Sequence, residues 1–240
     1  MTTSGLPGIP FGCNEYRNPR ACRPFLMIVS GFVFLDWIIP QQLSGGNVMG
    51  MLILGLVIFL GVHSVRIVAD GWRTAMIARL GEKPWKGLYA LLSIVGLVLL
   101  VWGYGQARKL PGLLWQAPDR MRDVTGLLML ISFVLLVAAY VPRNGIKARL
   151  HHPMVLAVKV WAFAHLLSNG SPADVLLFGA FLVWAILSFR AARQRDRAAQ
   201  TVYAPGTTGG TVTTVVVGVV AWAVFAFWAH GWLIGVRPFG

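Results

Sequence analysis

Residues 51–67, MLILGLVIFLGVHSVRI, decide the fold. The run is apolar on every side of a helix, carries one imidazole at His63 and meets a cation only at Arg66. A barrel strand would instead alternate polar and apolar residues over about ten positions. With its flanks the run reaches the roughly 20 residues that a helix needs to cross a bilayer. Similar runs recur, so we read six spans at about 51–69, 86–105, 124–141, 153–169, 172–189 and 212–235. Loops with charges, Pro and Gly separate them, and residues 190–210 read as a polar, Gly-rich linker. The predicted fold is all-α: a polytopic membrane helix bundle of about six transmembrane helices.

Composition agrees with this reading. The 240 residues are 57% hydrophobic and 12% charged, about half the charged share of a soluble domain. A net charge of +13 would suit nucleic acid only if it formed a basic face on a soluble fold. Here the cations sit in short clusters between apolar runs, which excludes a nucleic-acid partner and makes the lipid bilayer the expected one. Loops after the first, third and fifth spans hold twelve Lys and Arg, among them Arg66, Arg73, Lys147 and Arg193. The opposite loops and tail hold five: Arg108, Lys109, Arg120, Arg122 and Arg237. Counted from Met51, the positive-inside rule predicts that both ends lie outside.

Upstream, residues 1–50 form an irregular extension. Residues 25–39, FLMIVSGFVFLDWII, are apolar but short and contain Asp36. They fit an extra span, a signal-like segment, or sequence translated from a start set too early. We take the third, because Met49 and Met51 stand directly before the first full span. The two cysteines, Cys13 and Cys22, lie in this extension. Neither a C-x-x-C-H haem attachment nor a cysteine cluster for iron-sulfur or zinc is present. A bridge between them requires an extracytoplasmic location.

Ionisable residues inside spans are costly and mark candidate function. The segment 151–170, HHPMVLAVKVWAFAHLLSNG, holds three of the five histidines. His63 and His165 each lie about 18 Å from the entry face of their own span, in a core about 30 Å thick. The spans run oppositely, so the two depths differ by about 6 Å. Two facing imidazoles can ligate a metal or a haem iron axially; equally, each can hydrogen-bond a neighbouring helix as packing. Arg66, three residues after His63, suits a haem propionate or simple orientation. His151 and His152 precede a helix-starting Pro153 and read as interfacial. Lys159 snorkels. His230 sits among Trp222, Trp228 and Trp232 as in an aromatic belt, and Gly231 with Gly235 makes a G-x-x-x-G helix-contact pattern. Nucleotide-binding, serine-hydrolase and H-E-x-x-H motifs are absent. Apart from Asp36 the spans offer no carboxylate for a proton relay.

The segments LGVHSVRI (60–67), RLGEKPWKGLYALLSIVGLVLLVWGYGQAR (79–108), AAYVPRNGIKARLHHPMVLAVKVWAFAHLLSNG (138–170) and ADVLLFGAFLVWAILSF (173–189) resemble the NnrU family of bacterial inner-membrane proteins. The resemblance covers Met51 to about residue 235, which makes 51–240 one transmembrane domain. It implies a role in denitrification, linked to nitrite and nitric oxide metabolism; the non-enzymatic alternative is an assembly factor for a respiratory nitrogen-oxide reductase. The same superfamily holds the haem b enzyme zeta-carotene isomerase, whose early histidine and later H-P…A-H segment are similar to His63 and to His152 with His165. Carried over, His63 and His165 become axial ligands of haem b, His152 and Arg66 supporting residues, and a polyene or isoprenoid lipid the alternative substrate. Ala162 stands where the isomerase pattern has a cysteine, which puts thiolate ligand exchange in doubt. An R-H-P-like start to a helix, here Arg149 to Pro153, is shared with membrane methyltransferases, but no Glu follows Glu82 to complete their pattern.

Overall fold

A computed structural model describes residues 45–118 and 120–239. The expectations placed on residues 1–44, including the segment 25–39 and both cysteines, lie outside the described residues. The chain forms α1 (Gly45–Val68), α2 (Asp70–Leu80), α3 (Glu82–Ala107), α4 (Met121–Tyr140), α5 (Gly145–Leu150), α6 (Pro153–Ser168), α7 (Pro172–Ala198) and α8 (Thr208–Val224). A π-helical turn, Phe225–Ala229, joins α8 to α9 (His230–Ile234).

Five helices, α1, α3, α4, α7 and the α8–α9 unit, are long and apolar enough to cross a membrane. The expected fourth span is shorter: α6 has 16 residues, about 24 Å at 1.5 Å per residue. Pro153 opens it and the turn Asn169–Ser171 closes it. It lies along α4. At one end Thr125 of α4 is hydrogen-bonded to Ser168 and donates to the Ala164 carbonyl at 3.1 Å. Halfway along, the Ser132 hydroxyl donates to the Ala157 carbonyl at 2.8 Å. These bonds fix α6 antiparallel to α4, and the three-residue turn fixes it antiparallel to α7.

The ends of the helices sort onto two sides. Leu114 N–H donates to the Gly170 carbonyl at 2.7 Å, and the Arg108 guanidinium to the Ile234 carbonyl at 2.8 Å. The loops at 108–120 and 169–171 and the end of α9 therefore share one side. On the other, Thr207 N–H donates to the Arg143 carbonyl and Arg195 to the Arg66 carbonyl. This second side carries the twelve cations.

Packing runs as a chain of neighbours: α3 on α1, α1 on α7, α7 on α6, α6 on α4 and α4 on α8. In lipid, close van der Waals fit replaces hydrophobic burial as the force between helices. Glycines provide it at α1–α3. A Cβ on Gly96 would stand 2.7 Å from Phe59 N, and one on Gly103 would stand 2.6 Å from Leu52 N. Leu52, Leu56, Leu100, Leu177 and Phe178 fill the buried core, while large apolar residues such as Leu91, Val183 and Val216 face outward as a lipid-facing surface does.

Three expectations need correction. The linker at 190–210 is helical through Ala198, since its Ala, Arg and Gln are good helix formers and Arg193 pairs with Asp196 one turn on. The G-x-x-x-G pair makes no helix contact: Gly235 takes φ +77 as the left-handed cap of α9, and a Cβ on Gly231 would meet only Arg237. Finally, the fifth span does hold a carboxylate. Asp174 is 8% exposed, completes a capping box with Ser171 and accepts the Tyr104 hydroxyl at 2.6 Å.

Candidate functional site

His63 lies on α1 and His165 on α6, on two flanks of α7. The Nδ1–H of His63 donates to the Phe59 carbonyl at 2.7 Å, and that of His165 to the Trp161 carbonyl at 2.9 Å. A carbonyl only accepts, so Nδ1 carries the proton in both rings and Nε2 keeps its lone pair. Neither Nε2 has a hydrogen-bond partner among the described residues.

Aromatic rings surround both imidazoles. His63 stands 4.3 Å from Phe59, 5.3 Å from Tyr89 and 6.2 Å from Trp184 between ring centroids. His165 stacks on Phe178 at 4.7 Å and lies 5.5 Å from Trp161. Phe181 of α7 stands between the two groups, 5.9 Å from Phe59 and 5.4 Å from Trp161. The α7 neighbours Phe178 and Trp184 are six residues apart, which sets the imidazoles at levels differing by about 9 Å.

Metal-bound histidines commonly give their second nitrogen to a backbone carbonyl, so each donor suits ligation through Nε2. Space adds a condition. A metal holds imidazole nitrogens at about 2 Å, so a macrocycle ligated by both rings would take the place of Phe59 and Phe181. Ligation by either ring alone leaves that layer intact. Among the described residues no group of three or more His, Cys, Asp or Glu is arranged to hold a metal ion.

The supporting residues fall elsewhere. Arg66 lies exposed in the last turn of α1, one turn from His63, and its carbonyl accepts from Arg195 at 3.2 Å. His152 caps the other end of α6, about 20 Å along the helix from His165, so the two do not share one small centre.

What surrounds His152 escaped the sequence reading. His152 Nε2–H donates to Asp196 Oδ2 at 2.8 Å, and the Tyr203 hydroxyl donates to the same oxygen at 2.9 Å. The Arg193 guanidinium donates to His151 Nδ1 and lies 3.9 Å from Asp196. His151 itself lies 4.1 Å from Tyr203 between ring centroids, the two rings tilted by 35°. Its backbone, at φ 72 and ψ −60 with His152 N–H on the Leu150 carbonyl at 3.0 Å, forms a γ-turn of the rare, strained hand. Burial, aided by the Asp196 carboxylate that accepts its hydrogen bond, pushes the Tyr203 phenol up from its usual range. One signal was present in the sequence: Asp196 is the last carboxylate in the chain, placed among four arginines.

A family model described as NnrU protein matches residues 51–238. No curated protein and no solved structure matches the chain.

Proposed function

The chain belongs to the NnrU family, and from that membership we propose that it serves nitrite and nitric oxide metabolism as a multi-pass protein of the bacterial inner membrane. We further propose that it binds b-type haem through one of its two intramembrane imidazoles, His63 or His165, since ligation by a single ring leaves Phe59 and Phe181 in place. One observation carries the ligand reading. Each imidazole spends its Nδ1–H on its own helix rather than on a neighbour, so neither serves as interhelical glue, and each keeps a free basic nitrogen inside the bilayer.

Haem iron bound there would supply one-electron chemistry and a site for small nitrogen oxides. The residues of the chain orient the ligands: Phe59 and Trp161 fix both tautomers, while Phe178 and Tyr89 hold the rings. Arg66 offers a cation at the basic side.

An absorption spectrum of the detergent-purified protein tests the proposal. A Soret band that shifts on reduction, and is lost or displaced in one of His63→Ala and His165→Ala, is the expected result. Unaltered bands in both variants would remove the ligand assignment. A colourless protein that co-purifies with a reductase would move the role to assembly factor.

A further inference from the structure

While α1 and α3 close on glycine, α1 and α7 diverge and leave an apolar groove of about 600 Å³. Leu60, Ser64 and Ile67 line one wall; Ala180, Val183 and Leu187 line the other. It runs along α7 from Val175 to Leu187, about 18 Å at 1.5 Å per residue, close to the half-thickness of a bilayer core. Val183 and Leu187 are half exposed, so the groove opens sideways toward lipid.

Its end on the basic side carries charge. Ala180, Val183, Leu187 and Arg190 follow one another at helical spacing, which sets Arg190 one turn beyond the groove on the same face. Across the mouth Arg195 donates to the Arg66 carbonyl at 3.2 Å and ties α7 to α1. Among the described residues, Arg66, Arg190 and Arg195 form no ion pair.

We propose that this groove is a binding site for an anionic phospholipid of the leaflet on the basic side, with an acyl chain along Leu60, Ala180 and Val183 and the phosphate on Arg190 and Arg195. The length matches one leaflet and the unpaired cations stand where a headgroup phosphate would lie. A transmembrane helix of a partner would need no anion at the mouth.

Native mass spectrometry of the full chain, titrated with phosphatidylglycerol and phosphatidylcholine of identical chains, tests this. Phosphatidylglycerol should be retained preferentially, and Arg190→Gln should cut that preference by about fivefold, the factor for one Arg beside an anionic headgroup. Ala180→Trp, which fills the groove, should lower retention of both lipids. Equal retention of the two lipids by the wild type, or a preference unchanged in R190Q, would overturn the proposal. A dimer in place of lipid adducts, dissociating in A180W, would also overturn it and assign the groove to a second copy. R190Q changes an exposed side chain, so its readout stands even if A180W does not fold.

Discussion

At the residue scale the densest chemistry lies at the basic end, where Asp196 gathers His152, Tyr203 and Arg193. These bonds draw the loop after Ala198 back onto the start of α6. Tyr203→Phe removes a hydroxyl donating to a carboxylate and should cost about 1.5 kcal/mol, read as a lower thermal unfolding midpoint in detergent. A pH dependence follows, because the folded protein holds the phenolic proton more tightly than the unfolded chain does. Its contribution is complete below about pH 10, the usual tyrosine value, and is lost as pH rises through the higher folded value. The unfolding midpoint of the wild type should therefore fall more steeply than that of Y203F in the alkaline range. Parallel curves would show that the phenol is not held by Asp196.

At the element scale small residues and caps decide the packing. Gly96→Ala and Gly103→Ala each drive a methyl into the α1 backbone and should cost about 2 kcal/mol through overpacking. Gly231→Ala meets only the flexible Arg237 side chain and should be nearly neutral. Unfolding in mixed micelles would compare the three, and equal effects would contradict the close α1–α3 contact. Ser171→Ala deletes the cap of α7, with an expected loss of about 1 kcal/mol. It also removes one of the two donors to Asp174 Oδ2, the Ser171 hydroxyl at 2.6 Å, and leaves the Ser171 N–H at 3.1 Å. The pattern G-x-x-x-G was visible at 231–235 in the sequence, yet the glycines that let helices approach lie elsewhere, at 55, 96 and 103 between α1 and α3 and at 218 between α8 and α4. Spacing within one helix cannot tell which face meets a neighbour.

At the scale of the whole molecule, hydrogen bonds between loops sort the chain into two ends, and one end collects the cations. Single cysteines at Gln116 and Gln200, in a background with Cys13 and Cys22 replaced, should respond oppositely to a membrane-impermeant thiol reagent in intact cells. Gln116→Cys should label directly and Gln200→Cys only after permeabilisation. The reverse pattern would invert the orientation. His63 and His165 stand at levels about 9 Å apart, near the stagger expected from the sequence, and what separates the two groups is Phe181 of α7. Antiparallel spans place matched residues at similar depth, but the lateral position of each helix is set by its neighbours.

Helical class, the number and rough limits of the apolar runs, and the segregation of charge were all determined by the sequence, because the bilayer imposes length and polarity on each segment separately. Tertiary structure alone decided that Phe181 stands between the two imidazoles, and that Asp196 and Tyr203 meet His152. Those features depend on which helices become neighbours. In lipid that choice rests on close steric fit and a few polar bonds between residues far apart in the chain, and neither leaves a periodic trace in any one segment.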